Sequence, residues 1–339
     1  VGSEMCIRDR NVGLDLGFLN NRLNLTADAY VRDTKGMQTS GKKLPGAYGA
    51  NEPKQNAANL RTKGWELMLT WNDAFKLANK PFRYNLSVGL ADNTSEITKF
   101  DNPSKILSDY YVGQKLGDIW GYVVDGLFRT DEEAANYNVD QTAVNFVINT
   151  AQVNPGLHAG DMKFVDLDGD HTISSGSNTA DDPGDRKIIG NEEPRYIYSF
   201  TLSADWNNIW VSAFFQGVGK QDWYPSNEAS TFWGQYNRPY NQMPSWHVGN
   251  YWTPENPDAF LPRYAGYYAP FYGGHKNANT RYLMNAAYLR LKNIQVGYNL
   301  PSEWIKKLHL TNVGIYLSGE NLFTWSPLYK YSKLSLIHI

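Results

Sequence analysis

YIYSFTLSADW (196–206), Asn207-Asn208 and IWVSAFFQGVG (209–219) are the stretch that decides how this chain folds. In the first segment Tyr196, Tyr198, Phe200, Leu202, Ala204 and Trp206 project one way, and Ile197, Ser199, Thr201, Ser203 and Asp205 the other. A period of two, with large apolar groups on one side and mostly small or polar groups on the other, is the pattern of a β-strand. Asn207-Asn208 tolerates the positive φ values of a two-residue turn, so the two segments read as a hairpin. Such strands suit a soluble sheet. They also suit a membrane barrel, whose apolar face meets lipid and whose polar face lines a wet lumen.

The same alternation recurs on either side. NVGLDLGFL, Asn20-Asn21 and RLNLTADAYVRD (11–33) read as a first hairpin, with Leu23, Leu25, Ala27, Ala29 and Val31 on one face. Trp65, Leu67, Leu69 and Trp71 align in a third strand, and Tyr84, Leu86, Val88 and Leu90 in a fourth after a turn around 74–80. YLRLKNIQVGYNL (288–300) changes face at Lys292-Asn293, as a β-bulge requires, and NVGIYLSGENLF (312–323) follows a short connection. Within the long stretch 98–192, Thr130 and Glu133 form a capping box that predicts a helix reaching about Asn149.

Connection lengths choose between the two settings. Short ones fall at 20–21, 73–81, 207–208 and 301–311, and long ones at 34–59, 98–192 and 220–280. For about eight antiparallel strands this places every short turn at one end and every long loop at the other, the arrangement of outer-membrane barrels. Several strands approach the ~9–11 residues that a tilted strand needs to cross a bilayer. The fold class expected is therefore all-β: an antiparallel transmembrane β-barrel fragment with long extracellular loops and short periplasmic turns. The alternative is a secreted, soluble carbohydrate-binding β-sandwich, with its apolar faces buried.

Composition agrees. The 339 residues include 23 Tyr, 14 Phe, 11 Trp and 29 Gly, which favours strands and turns. With 32 basic and 34 acidic residues the charge is balanced, and nothing points to nucleic acid. The single cysteine, Cys6, rules out a disulfide framework. No HExxH, G-x-S-x-G or phosphate loop occurs, and GVGK (217–220) lacks the rest of a Walker motif, so no enzyme is expected. The two ends, 1–10 (VGSEMCIRDR) and 334–339, show no alternation and are expected to be extraneous, leaving 11–333 as the partial barrel.

Two clusters are candidate sites. Asp166, Asp168, Asp170 and Thr172 occupy positions 1, 3, 5 and 7 of an EF-hand-like loop, oxygen ligands spaced for structural Ca²⁺. Position 6 is His171 rather than Gly and position 12 is Ser177 rather than Glu, so Asp181, Asp182 or Asp185 would have to supply the remaining carboxylate. No other cofactor is expected. In 220–280, Trp223, Tyr224, Trp233, Tyr236, Trp246, Trp252, Tyr267 and Tyr268 are candidate contacts for substrate or partner, and most are also expected to pack among themselves. Trp65, Trp71 and Trp206, near strand ends, are expected in an interfacial aromatic girdle.

GYVVDGLFRTDEEA (121–134), GDMKFVDLDGD (160–170), DRKIIGNEEP (185–194), FTLSADWNNIWVSAFFQGVG (200–219), YLRLKNIQVGYNLP (288–301) and GIYLSGENLFTW (314–325) resemble the C-terminal barrel half of SusC/RagA-type TonB-dependent outer-membrane transporters. The blocks keep the family's order and cover most of 11–331. The resemblance implies an integral protein of the cell outer membrane, with a large barrel of the 22-stranded, plugged type. It also implies a SusD-like surface lipoprotein as partner and uptake of oligosaccharides or peptides with energy relayed by TonB. On the same resemblance the plug that contacts TonB lies outside these 339 residues, and the chain is a fragment not competent alone.

Overall fold

The computed structural model describes residues 5–40, 49, 54–144, 156–226, 229–267, 274–306 and 309–330. In chain order the first strands are β1 (Cys6–Phe18), β2 (Leu23–Ser40), β3 (Lys54–Leu77) and β4 (Lys80–Lys99). The first excursion carries β5 (Asp118–Tyr122), β6 (Val124–Leu127), α1 (Asp131–Ala135), β7 (Met162–Phe164) and β8 (Arg186–Asn191). Then come β9 (Arg195–Trp206) and β10 (Ile209–Lys220). The second excursion holds β11 (Asp222–Trp223), α2 (Ser230–Trp233), β12 (Tyr251–Trp252), β13 (Leu261–Arg263) and β14 (Met284–Asn285), and β15 (Tyr288–Asn299), α3 (Ser302–Ile305) and β16 (Gly314–Trp325) follow.

Eight of these strands form one antiparallel sheet in the order β1-β2-β3-β4-β9-β10-β15-β16. They build one compact unit, and the two excursions build another. A sandwich would divide such strands between two facing sheets. Here they lie in one.

Several boundaries differ from those read in the sequence. β1 starts at Cys6, inside the stretch 1–10 that the sequence sets apart as extraneous, and pairs without interruption from Cys6↔Lys35 to Phe18↔Leu23. The first turn is four residues, 19–22, with Leu19, Asn20 and Asn21 at φ 53°, 57° and 62°. The turn expected at 74–80 shrinks to Ala78-Asn79, because Phe75, Lys76 and Leu77 still pair across to Phe82, Pro81 and Lys80. β2 and β3 likewise shorten the expected 34–59 loop to 41–53. The helix expected through Asn149 ends at Ala135. Its Thr130 cap is formed, with the Glu133 amide donating to Thr130 Oγ1 at 3.1 Å, while Glu133 Oε2 reaches back to the Arg129 amide, one residue before the cap, at 2.7 Å. Residues 145–155 lie outside the described part.

Asn207-Asn208 makes the two-residue turn expected, at φ 50° and 70°, and closes the Trp206↔Ile209 pair. The bulge near Lys292 is also present: Phe214 faces Asn293 while Phe215 faces Leu291, which leaves Lys292 over. A second irregularity was not visible in the alternation. Tyr196 sits at φ 53°, a region bulky side chains rarely enter, so it leaves the row that Tyr198 and Phe200 continue.

Candidate functional site

Register carries the functional information in the sheet, because residues directly opposite one another share a face. One row crosses all eight strands as Leu16, Leu25, Leu69, Val88, Phe200, Phe215, Leu291 and Phe323. The rows on either side read Leu14, Ala27, Leu67, Leu90, Tyr198, Gly217, Leu289, Trp325 and Phe18, Leu23, Trp71, Leu86, Leu202, Ala213, Ile294, Gly319. None of the three contains a charged residue.

The other face alternates with these rows. One of its rows is Asn72, Asn85, Ser203, Ser212, Gln295 and Ser318, and another begins Gly17, Asn24, Thr70, Ser87, Thr201. Side chains on this face bond to one another, Asn85 Nδ2 donating to Asn72 Oδ1 at 2.6 Å and Thr26 Oγ1 to Asp15 Oδ1 at 2.6 Å. The apolar face is open. Leu69 is 37% exposed, Leu202 45% and Leu317 81%. Such a surface, extended over eight strands, needs an apolar neighbour.

The ends of the apolar band are polar or aromatic. From Leu67 to Trp71 the three rows cover about 13 Å at ~3.3 Å per residue, and the next row on the same face holds Asp73, before Phe75. At the short-turn end Phe75, Phe82 and Tyr84 cluster, with ring centroids 5.0 to 6.3 Å apart. There Trp71 Nε1 donates to Tyr84 Oη at 3.1 Å and Trp206 Nε1 to the Leu77 carbonyl at 3.1 Å. Trp65 lies at the other end, level with Asp92. Beyond it are ion pairs: Arg61 with Asp33 at 2.7 Å, and Arg195 with Asp92 at 2.5 Å. The three tryptophans thus border the band, two at one end and one at the other.

The excursion unit has a core of its own. Tyr122, Leu127, Met162, Phe164 and Ile173 from the first excursion are buried in one cluster with Phe232, Trp233, Tyr236, Leu261, Tyr282 and Met284 from the second. The main chain joins them, because the Tyr122 amide donates to the Ala278 carbonyl at 2.9 Å and the Thr280 amide to the Tyr122 carbonyl at 3.0 Å. An ion pair joins them again: Arg263 binds the fully buried Asp161 carboxylate through Nε at 2.6 Å and Nη2 at 3.2 Å. The sequence reading had no signal for that pair, whose members lie 102 residues apart.

This core corrects part of the aromatic assignment. Trp233 and Tyr236 are enclosed, so neither offers a surface to substrate or partner. Trp233 contacts Phe232 at 4.7 Å, His275 at 4.6 Å and Tyr282 at 5.2 Å. Trp223, Tyr224, Trp246 and Trp252 are half-buried against the same core. The Tyr224 hydroxyl, with one proton to give, lies 2.9 Å from the carbonyls of both His275 and Asn277, and burial pushes its pKa well above the usual value. Tyr267 stays partly exposed under the Arg238 guanidinium, 5.8 Å from its ring centre. Tyr268 lies outside the described residues. Tyr240, at 79% exposure, is far more open than any of them.

The acidic loop is also rearranged relative to expectation. Asp166, Asp168 and Asp185 each bring a carboxylate oxygen within 4.8 Å of the others. Asp170 instead accepts the Thr172 amide at 2.7 Å. Asp181 pairs with Lys105 at 2.7 Å, and Asp182 accepts the Ser177 amide at 2.9 Å. So Asp170, Asp181 and Asp182 do not join this carboxylate cluster, and the buried Asp185 does. Its two oxygens take the amides of Leu167 and Ser174, both at 2.7 Å. Asp166 accepts the amides of Gly169 and His171 at 2.7 and 2.9 Å. The Asp170 amide lowers the pKa of Asp168, but burial and the carboxylates of Asp185, Asp170 and Asp166 outweigh it, and the net shift is upward. Ile173, fully buried, anchors the loop in the core.

No protein-family model matches the chain. TonB-dependent receptor P3 of Formosa agariphila is 27% identical over 331 residues, covering 93% of this chain. TonB-dependent receptor SusC of Bacteroides thetaiotaomicron is 26% identical over 328 residues, covering 92%. The RagAB peptide transporter structure superposes on 94% of the chain with a TM-score of 0.66 at 20% identity. The chain is similar in sequence to TonB-dependent receptors, SusC among them, and in fold to the RagAB transporter. It spans 29% of the length of the P3 receptor and 28% of SusC. The sheet and the two excursions therefore correspond to a portion of a SusC/RagA-type barrel and its long loops, and the uncharged apolar rows are what a barrel wall of that type presents outward.

Proposed function

We propose that this chain supplies part of the wall and long loops of an outer-membrane importer that takes up oligosaccharides or peptides. Energy would come from TonB through a plug outside these residues, and a SusD-like lipoprotein would assemble on the outer side. One observation carries the reading: three consecutive uncharged apolar rows lie open on one face of an eight-stranded sheet, with polar rows, Asp15, Asp28, Glu66 and Arg290 among them, on the other. Water tolerates that arrangement poorly and lipid favours it, provided the backbone is paired. For the acidic loop the proposal is smaller. Asp166, Asp168 and Asp185 would hold a hard cation such as Ca²⁺ in a structural part, and calorimetry showing no heat at millimolar calcium would end it.

The experiment is expression of the intact parent gene with a neighbouring lipoprotein gene, followed by extraction of outer membranes in detergent. The reading expects a heat-modifiable barrel that brings the lipoprotein with it. A soluble product with no companion would overturn it.

A further inference from the structure

On the long-loop side of the apolar rows the same face of the sheet changes chemistry within two rows. The first reads Val12, Ala29, Trp65 and Asp92, and the second Arg10, Val31, Lys63 and Thr94. Along β2 this face presents Val31, Ala29 and Ala27 in succession, and each lies between two larger side chains. Val31 is flanked by Arg10 and Lys63, Ala29 by Val12 and Trp65, and Ala27 by Leu14 and Leu67. A strand of small side chains between taller neighbours is a groove, and this one runs from the charged row down into the apolar band. Its mouth is a cavity of about 530 Å³ lined by Arg10, Val12, Ala29, Val31, Lys63 and Trp65.

Asp92 and Arg195 also line the cavity and meet each other, the guanidinium placing Nε and Nη2 on the two carboxylate oxygens at 2.5 and 2.6 Å. Arg10 and Lys63 form a cationic rim on either side of Val31. Their strands are separated by β2 and so lie about 10 Å apart, a span that two long basic side chains close around one anionic group. Trp65, one row nearer the band, carries the ring type that settles at headgroup depth in a bilayer. A small soluble anion would use the rim alone. The groove beneath the rim seats an apolar chain as well.

We propose that this groove binds a lipid with an anionic phosphate headgroup, the phosphate held between Arg10 and Lys63 and one acyl chain laid along Ala29 and Ala27. The site rests on the reading that this face meets lipid, and adds to it a preference for one class of lipid. The phosphate oxygens accept charge-assisted hydrogen bonds from both cations. The chain covers the low floor that β2 leaves between Leu14 and Leu67, and the Trp65 indole borders the headgroup. A basic residue beside an anionic lipid headgroup strengthens binding about fivefold.

The test uses the intact parent receptor in a Cys6→Ser background, with one fluorophore-labelled cysteine replacing either Leu25, at the foot of the groove, or Leu202, elsewhere on the same face. Each protein is reconstituted in phosphatidylcholine vesicles containing a minor share of phosphatidylglycerol brominated on its acyl chains. Quenching at 25 should exceed quenching at 202 several-fold, because the site concentrates the anionic lipid. Lys63→Gln should cut that excess about fivefold. Ala29→Phe, which fills the groove and leaves both cations, should abolish it. Both positions are exposed, so neither change disturbs a core. Brominated phosphatidylcholine quenching the label at 202 checks the wall reading by itself, and its failure would overturn wall and site together. With that quenching present, equal quenching at 25 and 202 by the brominated phosphatidylglycerol would overturn the site alone. So would an excess that survives Ala29→Phe, or one that millimolar inorganic phosphate removes.

Discussion

Asp92 receives both arms of the Arg195 guanidinium, at 2.5 and 2.6 Å, together with the amide of Tyr196 at 3.2 Å. One buried carboxylate thereby fixes the residue that opens β9 and the left-handed residue after it. The strain of a tyrosine at φ 53° is offset by that third bond. Removing one partner of a pair as buried as this leaves a charge without its counterion. Asp92→Ala should therefore cost about 3 kcal/mol, read as an earlier transition in the temperature at which the barrel loses its compact mobility on gels. Asp92→Asn should recover little of that loss, because it keeps the shape and not the charge.

Gly297 lies directly across from Trp210, and a Cβ at that position would run into the indole ring. The ring uses the space a side chain would fill, as Tyr198 does at Gly217. Gly297→Ala should destabilise by about 1–3 kcal/mol, the range of overpacking. In a Trp210→Ala background the same change should be close to neutral. A double-mutant cycle measures the coupling, and additive effects would show that the ring does not depend on the glycine.

Trp233→Ala should cost the excursion unit about 3–5 kcal/mol, the usual range for a large aromatic removed from a closed core. Tyr240→Ala, at the exposed end of the same segment, should leave folding unchanged. Limited proteolysis of the long loops reads both, and equal protection of the two variants would contradict the core described for this unit.

Asp185→Asn should open the acidic loop. Asparagine can accept one amide well but not the two that the carboxylate takes from Leu167 and Ser174, and hydrogen bonds to charged groups are worth about 1.5–3 kcal/mol. Asp181→Asn loses only an exposed pair with Lys105 and should fall within about 0.5 kcal/mol of the parent. Hydrogen exchange at 166–174 distinguishes them.

The strands were legible because each repeats a period of two over ten or more residues, and Asn207-Asn208 and Lys292 carry turn and bulge chemistry on their surface. The ends of strands were harder. Phe75-Lys76-Leu77 reads as a turn in isolation and becomes strand because β4 offers a partner for every residue. Cys6–Arg10 lacks alternation and is strand for the same reason. In the candidate sites, local spacing identified Asp166 and Asp168. Asp185 came from a long-range closure that no spacing rule distinguishes from Asp181 or Asp182. The aromatic excursion was recognised as aromatic, but which rings turn inward depends on a core shared with residues about 100 positions earlier, such as Asp161 for Arg263.

The central claim is that the apolar face of the sheet meets lipid. With Cys6→Ser as background, single cysteines at Leu202, Val88, Ser203 and Ser87 of the intact parent receptor would be labelled with a small fluorophore and reconstituted with brominated lipid. Strong quenching at 202 and 88, with little at 203 and 87, is the expected result, since the two pairs lie on opposite faces in adjacent rows. Equal quenching at all four sites, or quenching of 202 and 88 by aqueous iodide instead, would contradict the account.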